Sequence, residues 1–344
     1  MSLLIFESFG CYHGNMVTPA TGWYFTTFAG PASGIGRRGT YGLSVYAGTG
    51  YYAQLDLKAE HSGLVIGFAV KPSNAGTIND RFLSLHNAAG SSQFVVDCTA
   101  AGRVRIKASP TGDVLAESAD AAITFNIYQY FELKCAIDDS NGTVQVRVNG
   151  ADIIAFTGGL NLQQAGSGGA QKIQWRDFGT ASPASIYDDL YICNLSGGTF
   201  TDFLGDIKVD AFWPTADGTY QQFTTNRATH YDAINDIGND AATYYIESDT
   251  PGEKDSFTIT PAGDLPTIHA ISIRNTARNP DTGVAEGTLF IRQGGVDRDQ
   301  ASFERGDTVE QDDQMLLKRP DTGGPWTKAA LEAMEFGFEF SAAS

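Results

Sequence analysis

Lysine and arginine are scarce in this 344-residue chain, 23 against 40 aspartates and glutamates, for a formal charge of −17. No basic stripe is left to neutralise phosphates, which argues against nucleic acid as a partner, and the long-range field opposes attraction to an anionic membrane. Cysteine is rarer still. Cys11, Cys98, Cys135 and Cys193 lie far apart and form no C-x-x-C, so zinc and redox motifs are absent and buried free thiols are expected. No stretch approaches the ~20 apolar residues of a membrane span. The opening Met1-Ser2-Leu3-Leu4-Ile5-Phe6 lacks a basic segment and stops at Glu7, unlike a signal peptide, so the chain is expected to be made and folded in a reducing cytoplasm, with no membrane insertion. A nucleotide-binding glycine fingerprint and a repeat of solenoid or propeller period are also missing.

What is abundant is glycine, at 39 residues, and aromatic surface, with 21 Phe and 14 Tyr. That composition favours many short strands joined by glycine-bearing turns, an all-β protein. Asn141-Gly142 and Asn149-Gly150 each separate alternating apolar runs, and Asn-Gly suits a two-residue turn in which both residues take positive φ. Three antiparallel strands follow from these turns, with Phe131, Leu133, Cys135, Val144, Val146 and Val148 facing the core. Further strands are expected at Leu3–Phe9, Gly42–Val45, Tyr51–Leu57, Leu64–Lys71, Phe82–Leu85, Gln93–Cys98, Val104–Ala108, Lys172–Phe178 and Ile186–Ile192, and again at Phe203–Val209. A second set runs through Tyr244–Ser248, Asp255–Ile259, Ile268–Ala277, Gly287–Gln293 and Ala333–Phe340, with a short helix at Thr327–Met334 capped by Thr327. The register break at Ser196-Gly197-Gly198 sets the expected organisation: a first domain over residues 1–197, a junction over 198–217 and a C-terminal β-sandwich over 218–344.

Three segments carry a resemblance: Gly42-Leu43-Ser44-Val45 followed by Tyr51-Tyr52-Ala53-Gln54-Leu55, the Phe131–Phe156 meander, and Ile186-Tyr187-Asp188-Asp189-Leu190-Tyr191-Ile192. Together they resemble the concanavalin A-like lectin/glucanase jelly roll in its LamG-like branch. The succession of Asp188–Tyr191, Phe203–Val209 and Trp213-Pro214-Thr215-Ala216-Asp217-Gly218 is similar to structural proteins of tailed bacteriophages. That resemblance implies a non-enzymatic virion protein, made in the host cytoplasm and assembled with other virion proteins as a homo-oligomer, a trimer first. It also implies a tail fibre or adhesin that binds a host surface glycan, with a capsid decoration or head fibre as the alternative and a glycan hydrolase as a weaker one.

The candidate chemistry is sparse. A retaining glycosidase needs two carboxyl groups about 5–5.5 Å apart, set by alternation along one strand. No such run exists: Glu132 has Lys134 and Ala136 as same-face neighbours, and Glu310-Gln311-Asp312-Asp313 lies in a segment without strand pattern. The five histidines are dispersed, with no nucleophile at motif spacing. By the resemblance, Asp188 and Asp189 stand where some lectin-like jelly rolls bind Ca²⁺, although adjacent strand residues face opposite ways, so at most one would ligate. Aromatic stacking on sugar is the remaining option. Tyr51 and Tyr52 are the best pair, because one of two successive strand residues must face outward, with Trp175 as a further candidate and Trp23-Tyr24 behind it.

Overall fold

The computed structural model describes residues 3–9, 22–26, 29–48, 50–73, 81–164, 166, 168–179, 184–235, 243–261, 263–281, 283–307 and 310–343. Cys11 and His13 lie outside them. The chain divides into two compact units, Met1–Ala211 and Phe212–Ser344.

The first unit is an antiparallel jelly-roll sandwich, with fifteen strands among the described residues: β1 (Leu3–Glu7), β2 (Trp23–Phe25), β3 (Ala29–Ala32), β4 (Gly42–Val45), β5 (Ala53–His61), β6 (Gly63–Lys71), β7 (Leu83–His86), β8 (Ser92–Cys98), β9 (Val104–Lys107), β10 (Val114–Glu117), β11 (Gln129–Ala136), β12 (Gly142–Val148), β13 (Ala151–Leu160), β14 (Ala170–Trp175) and β15 (Ser185–Asn194). One sheet runs β13-β12-β11-β6-β15-β4-β3, with β1 added on β15, and the other runs β10-β9-β8-β7-β14-β5-β2. Between them lies one core that includes Leu55, Phe68, Leu85, Phe94, Phe131, Val146, Ile173 and Ile192. Cys98, Cys135 and Cys193 are buried free thiols whose pKa burial pushes up to about 12.

Only one of the two Asn-Gly pairs makes the expected turn. Asn149 and Gly150 sit at φ 51° and 79°, joining β12 to β13, and the Asn149 side-chain oxygen accepts from the Tyr130 N–H at 2.9 Å. At the other pair the loop spans residues 137–141, and Asp138 organises it by accepting from the Ser140 and Asn141 N–H groups at 2.9 and 2.6 Å. Gly142 is instead the first residue of β12, where a Cβ would lie 2.6 Å from the Leu160 carbonyl oxygen. Its glycine answers to close approach, not to a turn. The expected strand over Phe203–Val209 is also absent: this segment is an irregular strap, held by side chains on the outer face of the first sheet.

The second unit contains β16 (Ala216–Gln221), β17 (Thr224–Thr225), α1 (His230–Ile234), β18 (Ile246–Glu247), β19 (Lys254–Thr258), β20 (Ile271–Ala277), β21 (Ala285–Gln293), β22 (Val296–Arg305), β23 (Glu310–Leu316), α2 (Lys328–Glu332) and β24 (Glu335–Ala343). Its five-stranded sheet runs β16-β19-β24-β21-β22, and its apolar side packs Leu289, Ile291, Phe336 and Phe338 against the β20–β23 ribbon and α2, through Ile273, Trp326 and Leu331. Thr327 caps α2 as expected, accepting from the Ala330 N–H at 3.2 Å. The polar Glu310–Asp313 segment, read as having no strand pattern, is the start of β23 and pairs with Asn275, Arg274 and their neighbours. Backbone pairing, which alternation cannot reveal in a polar segment, places it there.

Candidate functional site

Period two sorts the second sheet into an inner and an outer face. Inward go Trp23, Leu55, Ile173, Leu85 and Phe94, all buried. Outward go their neighbours, and the ladder aligns them in rows across the strands. Tyr24 pairs with Gln54, Gln54 with Gln174, and Gln174 with Ser84; one pleat along, Asp56 pairs with Lys172, and Lys172 with His86. Tyr52 and Arg176 flank the other side, each two residues from its glutamine. The result is a polar strip of two amides with an aromatic end.

The geometry at that end is specific. The Tyr24 and Tyr52 rings lie 6.0 Å apart at 43°, and Tyr24 is 53% exposed. The Arg176 guanidinium stands 5.0 Å above the Tyr52 ring. Gln174 donates from Nε2 to Gln54 Oε1 at 2.9 Å, while its own Oε1 is 3.4 Å from Arg176 Nη2. The Tyr52 backbone is fixed on both sides by Thr26, whose Oγ1 accepts from the Tyr52 N–H at 2.9 Å and donates to the Tyr52 carbonyl at 3.1 Å. Behind Arg176, the buried Asp177 accepts from Ser73 Oγ at 2.6 Å and from the Ser185 N–H at 2.9 Å, tying the end of β14 to β6 and β15. His86 is held neutral: burial, opposed by the Gly90 carbonyl and followed by the cations Arg81, Arg176 and Lys172, lowers its pKa to about 4.

The other site residues expected from sequence fall elsewhere. Tyr51 precedes β5, half-buried, with its ring against Gly48 and its N–H on the Gly48 carbonyl at 3.2 Å. Trp175 is 1% exposed and packs on Trp23 and Phe68, so it offers no face to a ligand; it has the inward parity of Ile173. Arg176 and the glutamines escaped sequence reading, which sought rings and acids. The recoverable signal was parity, since assigning Trp175 to the core sends Gln174 and Arg176 outward.

Asp188 and Asp189 belong to the first sheet and depart from alternation. A bulge with Asp189 at φ 48° aims both carboxylates at the Arg37–Arg38 turn. Asp188 accepts from the Asp189 and Arg37 N–H groups, each at 2.8 Å; Asp189 accepts from Val209 N–H at 2.9 Å and Arg38 Nη1 at 2.8 Å. All four oxygens therefore take protein donors, whereas a hard cation needs 6–8 oxygens of its own. Among the described residues no group of three or more His, Cys, Asp or Glu is placed to hold a metal ion. As the residues stand, the pair ties β15 to the Arg37–Arg38 turn and to residue 209. Burial, then repulsion from Asp189, raises the Asp188 pKa to about 6. Glu132, also raised by burial, accepts from Tyr191 Oη at 2.5 Å and from the Gly205 N–H at 2.9 Å, beneath the strap. The charge of Asp206, the acid that pairs with Arg37, adds to that rise.

No protein-family model and no curated protein matches this chain. Several similar solved structures cover just over half of it. They include the cellulose-induced protein Cip1 (12% identity over 54% of this chain and 89% of that one, TM-score 0.38). A carbohydrate esterase of the Shiga toxin-encoding bacteriophage phi24B is 14% identical over 55% and 99%, with TM-score 0.35. Lectin I-B4 from Griffonia simplicifolia is 10% identical over 55% and 98%, with TM-score 0.38.

Proposed function

We propose that this chain is a non-catalytic structural protein of a tailed-bacteriophage particle, a tail-fibre or adhesin component that holds a host surface glycan on the outer face of the β7-β14-β5-β2 strands. The carrying observation is the Tyr24–Tyr52 ring pair beside the Gln54–Gln174 amide ladder. Sugars present apolar C–H faces and hydroxyls together, and this strip offers ring faces for the first and amide donors and acceptors for the second. The virion placement rests on the likeness of residues 188–218 to phage structural proteins. In that setting the chain assembles with other virion proteins as a closed homo-oligomer, a trimer first.

Glycan-array binding followed by calorimetry tests the face. Replacing both Tyr24 and Tyr52 by Ala removes about 0.5–1.5 kcal/mol per ring, a roughly 5- to 150-fold loss in affinity for the pair, with the fold retained. A parent protein that binds no glycan on the array removes the lectin reading. Immuno-electron microscopy of intact particles tests the placement: tail label is expected, head label would transfer the chain to the capsid, and an unlabelled particle would end the virion reading.

A further inference from the structure

We infer that residues 196–209 form a latch, a length of chain that lifts off the first unit while both sheets stay folded and so lengthens the tether to the second unit under load. The latch does not depend on what the outer face of the second sheet binds. Its path is a return: β15 ends at Asn194, yet the Val209 N–H sits on Asp189, so the chain doubles back along the strand it has just left. Docked, Leu195 to Val209 covers only the reach from Leu195 back to Asp189, on the order of 20 Å at ~3.3 Å per strand residue. Fully extended, the same chain reaches ~45 Å. It is not held as a strand is. Among the described residues, 202–209 make no backbone-to-backbone hydrogen bond. They are fastened by Leu204 N–H on Tyr191 Oη at 3.0 Å, Gly205 N–H on Glu132 at 2.9 Å and Val209 N–H on Asp189 at 2.9 Å. The Arg37–Asp206 and Lys134–Asp202 pairs add to these, as does the Arg147 guanidinium 4.3 Å from the Phe203 ring centroid. Both pairs face water, with the Asp206 and Asp202 side chains 47% and 71% exposed, and exposed pairs contribute little. Phe203, Leu204, Ile207 and Val209 are half-buried, and none packs into the core between the sheets. The anchors beneath also hold partners inside the unit: Glu132 accepts from Tyr191 Oη at 2.5 Å and Asp189 from Arg38 Nη1 at 2.8 Å. Their strands are laddered to β6, β12 and β1, so lifting the strap breaks no ladder bond. Ser196-Gly197-Gly198 and Gly205, at φ 79°, supply the turning points.

Hydrogen exchange of the full chain, followed by mass spectrometry, tests the opening. Peptides covering residues 202–209 are expected to exchange at least tenfold faster than those of β11 and β15, yet more slowly than an unstructured chain. Low urea should leave the strap's rate unchanged, the mark of a local opening. Asp206→Asn, which loosens the pair with Arg37 from the solvent side, should speed exchange of the strap several-fold and leave β11 and β15 as they were. Strap peptides that match β11 and β15 in rate and urea dependence overturn the latch, because the strap then leaves only when the unit unfolds. So does a variant that speeds all three alike. Exchange at the unstructured rate overturns it too, since nothing is then docked. Optical-trap extension of the full chain through its termini tests the load. A reversible lengthening on the order of 25 Å is expected before either unit unfolds, at lower force in Asp206→Asn. If the first lengthening is the unfolding of a unit, load does not open the strap and the tether role falls.

Discussion

Asp188 shows how much a single carboxyl costs when it is turned inward. It is 2% exposed, and its two N–H donors do not offset burial and the neighbouring Asp189, so its pKa rises from 3.8 to about 6. The sign follows from linkage: a carboxyl that holds its proton more tightly when folded adds stability below about pH 4 and loses it as pH rises through 6. Between pH 4 and 7 the parent should lose roughly 2–3 kcal/mol of unfolding free energy through this group, at about 1.4 kcal/mol per pKa unit. Asp188→Asn removes the titration while giving up one acceptor, so urea midpoints of parent and variant should converge with rising pH. Parallel pH profiles would show that Asp188 titrates normally. The same scale explains why Trp175 misled: size and aromaticity are shared by core and ligand-facing rings, and only parity with Ile173 separates them.

Among the elements, the β11–β12–β13 meander was readable because hydrophobic alternation and turn chemistry point the same way there. The two Asn-Gly pairs nevertheless differ, and the difference is measurable. Asn149 occupies positive φ and binds Tyr130 N–H through its side chain, so Asn149→Ala should cost on the order of 1–2 kcal/mol. Asn141 is placed by its backbone bond to Asp138, so Asn141→Ala should fall within about 0.5 kcal/mol of the parent. Equal losses in denaturant unfolding would return both pairs to the same turn type. Strand β22 was missed although Gly294-Gly295, at φ 59° and 80°, makes a tight hairpin before it. Its charged residues hid a strand that backbone pairing to β21 secures.

For the whole molecule, the strap changes where the first unit ends. A cut after Gly197 follows the sequence signal, yet residues 202–209 supply groups that the sheet relies on: Gly205 N–H to Glu132, Leu204 N–H to Tyr191 Oη, Val209 N–H to Asp189, and Asp206 to Arg37. A chain ending at residue 211 should therefore melt about 10 °C above one ending at residue 197, because buried groups stripped of partners cost ~1–3 kcal/mol each. Equal melting temperatures would mean the strap adds nothing to the unit.

Sequence alone determined the all-β class, most inner-sheet strands, the inward faces of the meander and the cap of α2, all of which depend on neighbours within a few residues. Tertiary structure decided the rest. Which polar segments become strands depends on a partner's free backbone groups, as for β23. Which acids are structural depends on a bulge that breaks alternation at Asp189 and on N–H donors from residues 37 and 209, far away in sequence. The candidate face needed β2, β5 and β14 side by side before Tyr24, Gln54, Gln174 and Arg176 became neighbours, since contacts across a sheet join residues that no local period relates.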